Sequence, residues 1–219
     1  HKEYRRQRQM CIRDSGYCVS DGSLFALKSE LSYLWTVNIG MALENIRKWQ
    51  WINRMNEKIN RMWKYDMLTQ VLNRSGFFYC AETILQKIKE EKSNAFIIFL
   101  DIDGLKSVND NLGHEIGDAF IAKIAGILKE VVPKDCLIMR YGGDEFVVFG
   151  SCKQAGRMQR IAEDIKAAIK TADQKENRSY HLAASLGCSL HKSYEMDNLN
   201  SLIELADKKM YEEKKNKRR

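Results

Sequence analysis

The sequence predicts an α+β fold in which helices pack on a largely antiparallel sheet, with one long helix ahead of it. Two changes of pattern carry that reading. From about Ser23 to Lys64 there is no proline and one glycine, and Ile39, Ala42, Ile46, Trp49, Ile52, Met55, Ile59 and Met62 recur every three or four positions, which draws one apolar stripe along a helix. After Tyr65 glycines appear, and β-branched and aromatic runs alternate with helical patterns. Ala95–Leu100 reads as a buried strand and Asp118–Val132 as an amphipathic helix. Leu137–Arg140 and Phe146–Phe149 read as strands joined by a Gly-Gly turn, a hairpin signal. Ala155–Ile169 is a helix, Leu182–Leu190 a strand and Leu199–Lys215 a terminal helix. Strands and helices in that mixed order suit an α+β sandwich.

The chain has 219 residues, 44% hydrophobic and 30% charged, enough apolar material for a core and too much for global disorder. Cys11, Cys18, Cys80, Cys136, Cys152 and Cys188 are scattered, without metal-ligand spacing, and read as reduced thiols of a cytoplasmic protein. The most apolar window, Leu24–Leu43, is interrupted by Lys28, Ser29, Glu30 and Asn38, so no membrane span is expected. The net charge of +7 favours anionic partners, and nucleic acid, acidic lipid and nucleotide phosphate all qualify. The chain opens on His1, and Arg6–Ser15 resembles translated adapter sequence, so residues 1–22 are set aside as an uncertain, non-native segment. Residues 23–64 form the helical connector and 65–219 the following domain. The stripe suits either a helix lying on its own domain or a parallel two-helix connector between subunits, although Trp49, Ile52 and Met55 at successive threes overwind a heptad seam. Asn53, Asn56 and Asn60 beside it either set its register or face water.

Chemistry gathers at the strand ends. Asp101 and Asp103 close the first strand, and alternation places both carboxylates on one side with Ile102 on the other. Asp144 and Glu145 follow Gly142 and Gly143, which allow positive φ and leave backbone open to a ligand. Should the hairpin lie beside the first strand, three or four carboxylates converge and require a cation. Hard oxygen donors favour Mg²⁺, with Mn²⁺ as the alternative, and a few-carboxylate Mg²⁺ site takes further ligands from water and phosphates. Taken singly, each motif favours a bland reading, Asp101 and Asp103 as caps of the next segment and Gly142-Gly143-Asp144 as an ordinary turn; together, a buried strand and a glycine hairpin both ending in acids turn the balance toward a site. The segment Lys106–Asp118 reads as a polar loop in which Lys106 suits phosphate and Asn109 and Asp118 suit a purine edge, with His114 between them.

The run Tyr141-Gly142-Gly143-Asp144-Glu145-Phe146 resembles the signature of the GGDEF family of diguanylate cyclases. The likeness extends through Asp66-Met-Leu-Thr69, Leu72-Asn73-Arg74, Phe99–Asp103, Lys106, Asn109-Asp110, Gly113-His114, Gly117-Asp118, Arg140, Ser185-Leu-Gly187, Ala206-Asp207, Tyr211, Lys214 and Arg218, in order. This resemblance implies a nucleotide-cyclase or polymerase-palm-like fold and the condensation of two GTP into cyclic di-GMP and two pyrophosphates. It implies that Asp101, the backbone of Ile102, Asp144 and Glu145 hold the metal, and that Asp144 is the base for the 3′-hydroxyl. Asn109 and Asp118, with His114 nearby, would recognise guanine, and Lys106, Lys214 and Arg218 would meet the triphosphate. Each subunit of this family binds one GTP, so a homodimer held through the connector helix is implied. Leu34–Arg47 resembles the last helix of a GAF-type sensor.

Three features depart from the family pattern. The arginine and aspartate of its inhibitory RxxD motif align with Pro133 and Cys136, Gln70 stands where a glycine is usual, and Gly104-Leu105 replaces a bulkier pair. Product feedback through the RxxD site is therefore expected to be absent. A catalytically silent GTP-binding signalling module is the alternative reading, while nucleic-acid binding lacks the stacking residues or recognition helix it needs.

Overall fold

The computed structural model describes residues 26–154, 156–175, 180–192 and 199–217, with side chains from Tyr33 onward. Two compact units, residues 1–60 and 61–219, divide it, and helix α1 (Ala26–Lys64) is continuous across their boundary. The first unit's described part is this helix, and Ile39, Ile46, Trp49, Ile52, Met55 and Ile59 on its stripe are all exposed. Residues 1–22 and the start of the expected connector at Ser23 lie outside the described residues.

The second unit contains α2 (Arg74–Glu90), β1 (Asn94–Ile102), α3 (Leu105–Leu112), α4 (His114–Val131), β2 (Leu137–Arg140), β3 (Glu145–Cys152), α5 (Arg157–Lys175), β4 (Ala184–His191) and α6 (Leu199–Lys217). The four strands form one antiparallel sheet in the order β2-β3-β1-β4, as the α+β expectation requires. Strand alternation sorts the core into two layers. Phe96, Ile98, Leu100 and Ile102 of β1 pack with Phe120, Ile124 and Leu128 of α4 and Ile161 and Ile165 of α5. Ala95, Ile97 and Phe99 point the other way, onto Phe77, Ala81 and Ile88 of α2 and Leu202, Ala206 and Met210 of α6. Because both faces are covered, β1 is a continuous apolar run, and burying each of its large side chains stabilises the fold by about 1.5–3 kcal/mol.

Two elements differ from the sequence expectation. Helix α2 is missing from the predicted order, yet Phe77, Ala81 and Ile88 give it a helical stripe, and Asn73 caps it by accepting from the Gly76 amide at 2.9 Å. The expected polar loop from Lys106 to Asp118 is helical almost throughout, as α3 and the first turn of α4 meeting at Gly113, whose φ is +89°. Leu105 and Val108 bury the inner face of α3, so packing overrides the turn preference of its asparagines and aspartate. Gln70 adopts φ +55°, the left-handed conformation a glycine enters freely, and its side-chain amide donates to the Met67 carbonyl at 2.9 Å.

Candidate active site

The acids converge because β3 lies beside β1. Asp101 and Glu145 are direct partners in the antiparallel register, and the Ile102 amide donates to the Asp144 carbonyl at 3.0 Å. The Ile102 side chain is buried in the α4–α5 layer, so Asp101 and Asp103 emerge on the α6 side, as alternation predicts. There α6 meets them with two lysines three residues apart on one helical face. Lys214 pairs with Asp101. Lys217 donates to Asp103 at 3.2 Å and to the Ala184 carbonyl at 2.7 Å, and Ser185 donates its hydroxyl to Asp103 at 2.8 Å.

Electrostatics set the character of the cluster. Burial pushes the Asp101 carboxyl above the usual carboxylate range, and the charges of Asp144 and Asp103 add to this while Lys214 opposes it. Glu145 is raised in the same way, by burial and then by Asp144, Asp101 and Asp207, with Lys214 again opposing. Carboxylates crowded together at the ends of β1 and β3 suit a hard divalent cation by donor type and by charge. Among the described residues no three acid, histidine or cysteine side chains are already drawn together around a single metal position. Lys214 on Asp101 and Lys217 on Asp103 balance part of this charge.

The turn before Glu145 is built differently from the expectation. Neither Gly142 nor Gly143 has positive φ; among the described residues the glycines with positive φ are Gly104, Gly113 and Gly156. Gly142 instead makes room for the Glu145 carboxylate, whose Oε2 lies 2.5 Å from where a Cβ would stand, and Gly143 faces open space. The turn is tied down by Arg140. Its Nη2 and Nε donate to the Gly143 carbonyl at 2.7 and 3.2 Å, and its Nη1 donates to both Asp66 oxygens at 3.1 and 3.2 Å.

The remaining predicted residues lie on α3, α4 and α6. Lys106 is exposed in the first turn of α3, and His114 and Asp118 are exposed in the first turns of α4. The Asn109 side chain lies against Gly117, where any Cβ would displace its amide. Arg218 lies outside the described residues. At the positions aligned with the RxxD motif, Pro133 carries no charge and Cys136 is buried, its thiol pushed up to about 11 by burial and by the neighbouring Asp135. Asp135 pairs with Arg157 at 2.7 Å beside that thiol. Sequence reasoning assigned no role to Lys217, Ser185 or Arg140. The signal for Lys217 was its spacing from Lys214 on a helix, whereas nothing local marked the partners of Ser185 and Arg140.

Comparison with known proteins follows the same geometry. The family model described as "Diguanylate cyclase, GGDEF domain" matches residues 63–219. Diguanylate cyclase A of Treponema denticola is 29% identical over 199 residues, covering 89% of this chain and 53% of the relative. Diguanylate cyclase VdcA of Vibrio cholerae is 32% identical over 168 residues, covering 74% of this chain and 48% of the relative. The chain thus spans about half the length of these curated relatives. Among solved structures, the coiled coil and GGDEF domain of DgcB from Caulobacter crescentus, in complex with c-di-GMP, superposes with a TM-score of 0.71 at 23% identity, covering 80% of this chain and 93% of that one, a likeness of fold. With the signature acids gathered at the joined ends of the two central strands and the family model spanning the second unit from Trp63, this chain belongs to the GGDEF family of diguanylate cyclases.

Proposed function

We propose that this chain is an active diguanylate cyclase that condenses two GTP into cyclic di-GMP and two pyrophosphates, one GTP on each subunit of a homodimer. The observation that carries the reading is the set of partly buried carboxylates at the joined ends of β1 and β3, where burial and then neighbouring acids raise Asp101 and Glu145, facing a lysine-bearing helix. Asp101, the Ile102 backbone carbonyl, Asp144 and Glu145 would hold Mg²⁺ or Mn²⁺. When bound, the divalent cation supplies neutralisation of triphosphate charge and acidification of a ribose hydroxyl. Asp144 accepts the proton of the 3′-hydroxyl as its oxygen bonds to the α-phosphorus of the other GTP and the bond to pyrophosphate breaks. The same step in the opposite sense closes the ring.

Asn109 and Asp118 hold the guanine edge with His114 nearby, an assignment supported by the close packing of Asn109 on Gly117. Lys106, Lys214 and Arg218 bind the triphosphate. Residues 65–219 are the catalytic domain and 23–64 the connector, whose exposed stripe supports pairing of two copies. Among the described residues no helix is long and apolar enough to cross a membrane, and Cys80, Cys136, Cys152 and Cys188 are free thiols, which supports a reducing cytoplasmic setting for this part of the protein. The uncharged Pro133 and buried Cys136 support the absence of product feedback through the RxxD position.

The test is incubation with GTP and Mg²⁺, or Mn²⁺, at protein concentrations that secure dimers, with Asp144→Ala as control. Cyclic di-GMP and pyrophosphate from the wild type alone are expected. GTP binding without product would favour the silent-module reading instead.

A further inference from the structure

The Asp66–Thr69 segment and Arg140 belong to the sequence motif, yet neither touches the carboxylates. The geometry points to Asp66 acting through Arg140 as a positioning pair for the Gly142–Glu145 turn. The inference rests on reading that turn as catalytic.

The pair is over-determined on one side and committed on the other. Asp66 follows Lys64, the last residue of α1, by two positions. Its Oδ1 accepts from the Thr69 amide at 2.9 Å and the Thr69 hydroxyl at 2.7 Å, so the carboxylate is fixed before Arg140 arrives. Thr69 is itself buried, and Lys129 of α4 donates to its carbonyl at 2.9 Å. The backbone beside it is stitched to β2, with the Leu72 amide donating to Ile138 at 3.1 Å and the Arg140 amide donating to Leu72 at 2.9 Å. The planar Arg140 fork then spans from Asp66 to the Gly143 carbonyl, using one edge for each. Gly143 immediately precedes Asp144, whose own carbonyl accepts from Ile102. The turn that presents Asp144 is therefore held at two successive carbonyls, one by β1 and one by a guanidinium.

Gly143 packs on nothing at its outer face, since a Cβ there would meet nothing within 4 Å, so side-chain packing does not fix its carbonyl. Without Arg140 the carbonyl of Gly143 turns to water, and the turn keeps only the Ile102 amide on the Asp144 carbonyl and the Tyr141 and Gly142 amides on the Glu145 carbonyl at 2.8 and 3.4 Å. Misplacing a reacting group by about 1 Å costs as much as roughly a hundredfold in rate.

The test compares wild type with Asp66→Ala, Arg140→Ala, the double variant and Arg140→Lys. Amide hydrogen exchange of the peptide covering Gly142–Glu145 is read beside peptides from β1 and α2, and kcat and KM for GTP are measured. Each single variant is expected to speed exchange in the turn by about fivefold or more while β1 and α2 keep wild-type protection. The double variant is expected to add little, because the pair acts as a unit. Arg140→Lys keeps the charge facing Asp66 but lacks the fork, and is expected to resemble Arg140→Ala in the turn while sparing the fold. In the kinetics kcat should fall about tenfold or more with KM within about twofold. Unchanged exchange in the turn for both single variants, or protection lost evenly through β1 and α2, overturns the inference. A wild type that makes no cyclic di-GMP counts against the proposed function, and the exchange measurement still decides the positioning role.

Discussion

Replacing Gly187 by alanine tests how closely α6 is seated on the sheet. Gly187 lies in β4 opposite Phe99 of β1, on the face that carries α6. An added Cβ would stand 2.8 Å from the Met210 Cα and nearer still to the Ala206 carbonyl and the Met210 amide, all of them helix backbone. Ordinary carbon–carbon contact is about 3.5–4.0 Å, so α6 must retreat by roughly 1 Å or β4 must sink into a filled core. Overpacking of this kind costs about 1–3 kcal/mol, and backbone that cannot rotate away puts Gly187→Ala near the upper end. For a chain of this size each kcal/mol lowers Tm by about 2–4 °C, so a fall of roughly 6–12 °C is expected. The functional effect should exceed the thermal one. Lys214 is one turn beyond Met210, and the displacement draws its ammonium away from Asp101. Thermal unfolding followed by circular dichroism, with binding of a non-reacting GTP analogue measured well below the melt, checks both effects. Gly126→Ala in the middle of α4, where a Cβ meets nothing within 4 Å, is the control and should gain about 0.5–1 kcal/mol. A Gly187→Ala protein melting within about 1 °C of wild type would mean that the strand–helix spacing argued here is wrong.

Gly117→Ala meets a movable amide rather than backbone, so it should leave Tm within about 2 °C while weakening GTP-analogue binding severalfold through Asn109; equal loss of binding to ATP and GTP analogues would count against the guanine assignment. Glu145→Gln should melt higher than wild type at neutral pH in metal-free buffer. The folded-state pKa of Glu145 is raised, so the stability of the uncharged form is present at low pH and lost as pH rises through that value. The gap between the two proteins should close below about pH 4, and a gap independent of pH would contradict the crowding of acids. Lysine at both Ile46 and Ile52 should convert dimer to monomer by light scattering and remove cyclase activity without altering the melt of the second unit. Full activity from a monomeric variant would refute the two-subunit reaction.

Much of the fold was readable locally. β1 announced itself as an uninterrupted apolar run because helices cover both its faces, and the alternation of Asp101, Ile102 and Asp103 already implied a shared side for the two acids. The segment from Lys106 to Asp118 was misread because its asparagines and aspartate favour turns in isolation, while the burial of Leu105 and Val108 that makes α3 a helix depends on neighbours elsewhere in the chain. The Gly-Gly pair offers conformational freedom, and the structure uses Gly142 for space beside the Glu145 carboxylate instead.

By itself the sequence determined the element types from Ala95 onward outside that segment, the positions of the signature acids and the family. Periodicity and motif spacing are properties of a short window and need no partner to be seen. Only the tertiary structure decided which cation faces which acid. Lys214 and Asp101 are 113 residues apart, and Arg140 and Asp66 are 74 apart, so their meeting depends on α6 and β2 docking against the sheet. Such contacts are set by the packing of whole layers, where closeness in space has no counterpart in closeness along the chain.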